Sequence, residues 1–291
     1  MKKYFESNDQ SNRDFEGVDL SGKNMNNVIL TDSRMNKALL NESRLRKAAF
    51  AGCQLWEAEI MDADCYDAYF YAVQAQRASF NRSKLQKTNF FDANMTESDC
   101  RKADFSYAHC IESEFLRANL AESECVHAEF MRAELSDSNM IESEFSHATM
   151  EGAVLRRVKA SGMHTRNTNW VQTDLRDATM FQTTLSESDL TQSILTRAYL
   201  VEASMHEVDL SETDMSQANC YDSDSWHAFA DDADMTEANW SYSCLIDARF
   251  NRVLLKNARL NKADLTYAEL IECDLTGADL SGSILHETDL S

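Results

Sequence analysis

Large apolar residues recur at every fifth position of this chain, and the register does not slip between Phe15 and Leu290. Of the 56 centres in that frame, 46 are Leu, Phe, Met, Ile or Trp. Two residues before each centre stands a small residue, as in Ala103-Asp104-Phe105, Ser188-Asp189-Leu190 and Ala278-Asp279-Leu280. After Lys23 that position is Ala, Ser, Thr, Val or Cys everywhere except Met163. On an α-helix five residues turn through about 500°, which would scatter the centres around the axis. A continuous strand has period two, which does not divide five. A short strand followed by a corner does fit. In Ala278-Asp279-Leu280 the outer two side chains point in and Asp279 points out, and Ser281-Gly282 turn the corner. A fixed short period is the signature of a solenoid, here with four sides closing a coil of roughly 20 residues.

Charge supplies an independent test of the coil length. Every twentieth residue from Lys37 reads Lys37, Glu57, Arg77, Glu97, Arg117, Asp137, Arg157, Asp177, Arg197, with the sign alternating throughout. Residues one coil apart are expected about 4.8 Å from each other, where opposite charges attract and like charges repel. Such a ladder is structural, and each exposed pair contributes roughly 0–1 kcal/mol.

The units resemble the pentapeptide-repeat family, whose loose motif is A(D/N)Lxx, over residues 15–290. The resemblance implies an all-β fold, a right-handed quadrilateral parallel β-helix of about 14 coils with the large and small residues stacked inside. Residues 1–14 are expected as an N-terminal cap and residues 15–291 as one continuous helix, about 67 Å long at one strand spacing per coil. Members of the family do several jobs, so the resemblance implies no single function.

Composition narrows the classes. The chain has no proline, and its seven glycines sit mostly at corners. The start, Met1-Lys2-Lys3-Tyr4-Phe5-Glu6, lacks the apolar stretch of a signal peptide. No run approaches the ~20 apolar residues of a membrane span. Cys65, Cys100, Cys110, Cys125 and Cys220 are centres, Cys53 and Cys273 occupy the small position, and only Cys244 is expected to face out. Seven thiols therefore read as core residues of a protein in a reducing, cytoplasmic compartment. No Walker loop, GxGxxG, HExxH, CxxC or G-x-S-x-G is present. His127 and His147 share a column, but two ligands are too few for a structural zinc site. The expectation is a protein that is not an enzyme and holds neither metal nor cofactor.

Two surfaces stand out. The net charge is −21, and residues 198–248 contain twelve Asp or Glu and no Lys or Arg. The coil places Glu212 under Asp232 and Asp214 under Asp234, with Asp231 alongside, a stacking of like charge that costs up to about 1 kcal/mol per pair. These five residues are the candidate acidic partner-binding edge. Tyr71, Phe91, Ile111 and Met131 form one outward column with Tyr69 beside its start, an expected exposed apolar contact strip. A second group, Phe181, Val201 and Tyr221 with Trp226, borders the acidic stretch. Two zones bend the repeat. At 156–170 the centres shrink to Ala160 and Thr165 while Met163 enlarges, and Arg156, Arg157, Lys159, His164 and Arg166 make a basic surface. At 225–230 the centres are Ser225 and Ala230.

The leading expectation is a non-enzymatic scaffold that binds a protein partner along its acidic and apolar faces. Direct nucleic-acid binding is not expected, because an acidic surface repels phosphate. The resemblance implies a sharper alternative, since the family includes fluoroquinolone-resistance proteins that mimic duplex DNA and bind DNA gyrase or topoisomerase IV. The chain carries one net negative charge per about 3 Å of expected length, against one per about 1.7 Å in duplex DNA. The best-known resistance members also carry loops that interrupt their coils, and this chain has none. A bacterial secretion-associated or effector scaffold is a further alternative, and a homodimer is compatible with each reading.

Overall fold

The computed structural model describes residues 8–291. They fall into two compact units, Met1–Glu144 and Phe145–Ser291.

In the first unit, outward strand residues pair in parallel with residues twenty further on, as in Arg44↔Asp64, Asp64↔Lys84 and Gln74↔Asn94. The 20-residue coil read from the charges is therefore the coil that forms. Pairing begins at Asp9↔Ile29 and Asp14↔Arg34, so residues 8–14 of the expected cap already belong to the coil. Residues 1–7 lie outside the described residues. Each strand is pinned from both sides. Phe70 N–H donates to Asn89 O at 2.7 Å, while Tyr69 N–H donates to Ala48 O at 2.9 Å.

Most corners are built one way. The small residue donates its N–H to the preceding centre, as Ala38 does to Met35 O at 3.1 Å. At Ala63 and Thr168 the N–H instead meets a serine hydroxyl one coil on. Lys37, just before Ala38, takes φ 58°. A four-residue turn with φ positive only at its third residue is type II, which favours glycine there. All seven glycines occupy such positions, but so do most acidic and basic ladder residues, including Arg77 (φ 59°) and Glu97 (φ 60°). Left-handed φ costs a non-glycine residue roughly 1–2 kcal/mol. Bonds to the next coil offset it, as when Arg77 N–H donates to Thr96 O at 2.9 Å.

The core of this unit is a column of rings. Phe50, Phe70 and Phe90 stack with centroids 4.8 Å apart, and Phe80 meets Phe70 edge-on at 5.6 Å. All four are fully buried.

The second unit repeats the plan, with pairs such as Val154↔Asp174, Lys159↔Thr179 and His164↔Thr184 running unbroken past the irregular zone. Ala160, Met163, Thr165 and Trp170 are all fully buried, as are Ser225, Ala230 and Trp240. In each zone the second of two small centres is followed within ten residues by a buried tryptophan, a large side chain that offsets the lost core volume. Inward hydroxyls bond back to carbonyls. Thr168 Oγ1 donates to Phe145 O at 2.9 Å, and Ser188 Oγ donates to Thr165 O at 2.6 Å. Two cations of the basic zone are paired: Arg156 shares Asp174 with Arg176, and Arg166 engages Glu187. In the final coil Leu285 and Leu290 are exposed and Cys273 is half-buried, so Cys273 is less enclosed than its position in the repeat predicts.

Candidate partner-binding surfaces

The acidic edge lies wholly in the second unit. Asp214 and Asp234 form a parallel pair on one side of the coil. Glu212 occupies a left-handed corner (φ 56°), as does Asp232 (φ 58°), and Glu212 N–H donates to Asp231 O at 2.7 Å. The expected juxtaposition therefore forms, but its five carboxylates differ in their partners.

Asp232 accepts from Nε and Nη2 of Arg252, which pulls its carboxyl below the ordinary carboxylate range. Asp232 is thus not the uncompensated anion that the cation-free stretch 198–248 suggests, because its cation stands one coil further on. The other four are held by neutral donors. Gln192 Nε2 donates to Glu212 at 2.8 Å, and Asn251 Nδ2 donates to Asp231 at 2.8 Å. Asp234 accepts from the Thr236 N–H at 2.9 Å. Asp214 accepts from Ser216 Oγ at 2.6 Å and from Thr196 Oγ1 at 2.8 Å. Partial burial alone would raise the Asp214 pKa, but these bonds bring it below the usual value.

The same substitution of donor recurs around the edge. Gln182 serves Glu202 at 2.8 Å, and Gln217 serves Glu237 at 3.1 Å. His206 and His227 lie 2.7 and 3.2 Å from Asp224 and Asp247. In the first unit the corresponding ladder uses arginine: Glu97 accepts from Arg77 at 2.7 Å and from Arg117 at 2.8 Å. Glutamine preserves the hydrogen bond one coil away but leaves the carboxylate charge uncompensated.

Like-charge stacking is wider than the sequence reading anticipated. Asp104↔Glu124↔Glu144 and Glu114↔Glu134 are in register in the first unit. The stacking of carboxylates alone therefore does not single out the 212–234 edge. Neutral donors on the strand sides do not either, since Asn94 donates to Glu114 and Gln86 to Asp104 in the first unit. The glutamines at the left-handed corners do, and reading every twentieth residue (Gln192, Glu212, Asp232, Arg252) would have found the one that serves Glu212.

The apolar strip is less open than expected. Tyr69 and Tyr71 are about half exposed, at 49% and 47%, but Phe91, Ile111 and Met131 are half-buried. The cause is the column itself: side chains one coil apart cover each other, and the Tyr71 and Phe91 rings stack at 5.9 Å. In the second unit Val201 is buried at 8% exposure, whereas Tyr221 and Trp226 remain open.

Trp226 packs on His227 with ring centroids 3.9 Å apart. Beside them is a cavity of about 150 Å³ lined by His227, Phe229, Asp247, Arg249, Tyr267 and Glu269. His127 stacks on Tyr107 at 4.9 Å. Among the described residues no group of three or more His, Cys, Asp or Glu is gathered as a metal ion would require. No helix in the described residues is long and apolar enough to cross a membrane.

A family model of pentapeptide repeats matches the chain in eight copies, within 14–46, 63–219 and 254–291, more than half of its length. Among solved structures, a trypsin-treated form of QnrB1, described as a plasmid-mediated fluoroquinolone resistance protein, is 19% identical with a TM-score of 0.42. That match covers 58% of this chain and 85% of the other. HetL of Nostoc sp. strain PCC 7120, a pentapeptide repeat protein involved in heterocyst differentiation regulation, is also 19% identical. It covers 96% of this chain and 88% of its own, with a TM-score of 0.24. No curated protein matches by sequence.

Proposed function

This chain belongs to the pentapeptide-repeat family, a group of right-handed β-helix proteins, and from that premise we propose that it holds a basic protein partner against the acidic and aromatic surface of its second unit. Proteins of this family are generally structural or interaction scaffolds rather than enzymes. One observation carries the proposal. Carboxylates at 202, 212 and 237 are hydrogen-bonded by glutamine where the first unit uses arginine at an equivalent step. The ladder keeps its bonds while the surface keeps its negative charge, an arrangement that speeds encounter with a positively charged partner. Tyr221 and Trp226 add the aromatic contact area that interfaces favour. The exposed pair Tyr69 and Tyr71 is a second, apolar contact on the first unit.

The setting belongs to the same proposal. All eight cysteines are free, and burial pushes the Cys53 and Cys100 thiols up to about 12. Inert core thiols suit a reducing cytoplasm. A comparative capture tests the function. The wild type and a variant carrying Glu212→Gln, Asp214→Asn, Asp231→Asn, Asp232→Asn and Asp234→Asn are exposed to lysate of the source cell at low salt. Basic proteins retained by the wild type, lost by the variant and released in 1 M salt are expected. The same proteins on both baits would refute the assignment.

A second reading is that the edge imitates duplex DNA for a type II topoisomerase. The supporting observation is the run of charge itself: residues 198–248 hold twelve Asp or Glu and no Lys or Arg. A gyrase supercoiling assay decides it: inhibition or protection by the wild type that the five-site variant lacks supports mimicry, and no effect of either rejects it.

A further inference from the structure

We propose that the cavity beside Trp226 is a receptor for a single basic side chain, the guanidinium or ammonium group of a partner protein. This deepens the reading above and rests on it for the identity of the partner as a basic protein, but it concerns a different set of residues from the acidic edge. Phe229 and Tyr267 form aromatic walls, each partly exposed at 38% and 47%. Asp247 and Glu269 bring carboxylates to the same cavity. Aromatic faces together with carboxylates select cations, because the ring quadrupole and the anion attract the same charge.

The protein already displays the complementary chemistry in its own Arg249. That guanidinium lies 5.8 Å from the Phe229 ring centroid. Its nearest approach to Glu269 is 3.9 Å, too long for a hydrogen bond. The Arg249 side chain is 60% exposed, so it is weakly held there. It marks the position a partner's arginine or lysine would take, and it is displaced when that side chain arrives.

Size supports the assignment. A cavity of about 150 Å³ matches the share of roughly five liquid water molecules. That is room enough for a guanidinium or ammonium head. The surroundings favour a cation as well. Residues 198–248, which run up to Arg249, hold twelve Asp or Glu and no lysine or arginine, so Arg249 is the first cation after that stretch.

The test uses the full chain and capped tripeptides Gly-Arg-Gly, Gly-Lys-Gly and Gly-Gln-Gly at millimolar concentration, followed by NMR. The arginine and lysine peptides are expected to shift the signals of His227, Phe229 and Tyr267, while the glutamine peptide leaves them in place. Phe229→Ala and Glu269→Gln are each expected to abolish the shifts. Arg249→Gln, which removes the internal competitor, is expected to tighten the arginine peptide about two- to fivefold. A merely structural role for Arg249 would not tighten binding. Equal shifts from the glutamine peptide, or unchanged or weaker binding by Arg249→Gln, would overturn the proposal. The five-site variant of the acidic edge separates the two claims. If it loses the protein partner while the wild type shows no shift with the arginine peptide, the cavity assignment is wrong and the partner-binding reading stands. If the peptide binds as described while partner capture is unchanged in that variant, the cavity assignment stands alone.

Discussion

Phe70 and Tyr71 are neighbours in sequence, yet replacing each with alanine should have very different consequences. Phe70 is fully buried, with Phe50 and Phe90 stacked on its two faces at 4.8 Å and Phe80 against its edge. Phe→Ala in a core costs about 3–5 kcal/mol, and a ring enclosed on three sides leaves a cavity with little freedom to collapse, which places Phe70→Ala in the upper half of that range. Tyr71 is 47% exposed and has one stacked neighbour, Phe91 at 5.9 Å. Losing one such ring pair costs about 0.5–1.5 kcal/mol. Stability in a solenoid is distributed along the repeats, so the assay should report locally. Hydrogen exchange at the Phe50 and Phe70 amides, which donate to Tyr69 O and Asn89 O, reads the affected coils directly. Urea denaturation of both variants reads the whole. Comparable losses of protection for the two would refute the inward–outward assignment on which every surface above depends.

Three further outcomes follow from the electrostatics and the thiols. Burial would raise the Asp174 pKa, but hydrogen bonds from Arg176 and Arg156 bring it from 3.8 down to about 2. Its contribution, of order 2 kcal/mol, is therefore present above about pH 4 and lost as pH falls through 2, so Asp174→Asn should weaken the protein at pH 7 but not near pH 2 in acid denaturation. Glu97→Lys sets three cations in one column between Arg77 and Arg117, and a melting temperature that falls at low salt but recovers at high salt is expected. At pH 8 a thiol reagent should leave Cys53, Cys65, Cys100, Cys110, Cys125 and Cys220 unlabelled in the folded protein and label them all in denaturant; fast native labelling of Cys53, whose pKa burial holds at about 12, would contradict its core position.

The fold was legible because one period governs it. The centre that reads as apolar at 105 is a fully buried Phe105, and the alternating column from Lys37 gave the coil length that the parallel pairs adopt. What escaped the linear reading lies one coil away in sequence. Arg252 neutralises Asp232 from just outside a window drawn around the acids, and Gln192 serves Glu212 from just before its densest part. Exposure of the Tyr71 column was overestimated because alternation tells which way a side chain points, not how far its neighbour twenty residues on covers it. The cavity beside Trp226 was illegible for the same reason. His227, Asp247 and Tyr267 occupy one column and Phe229, Arg249 and Glu269 another, and only the folded coil sets the two side by side.

The most direct test of the central claim is the association rate of the purified partner from the capture experiment with the wild type and with the five-site acidic variant. In low salt the variant is expected to associate about tenfold or more slowly, since steering by complementary charge changes encounter rates on that scale. In 1 M salt, where the Debye length is about 3 Å, the two rates should converge. Equal association rates in low salt, with both proteins folded, would contradict the account and reduce the acidic edge to charge that keeps the protein in solution.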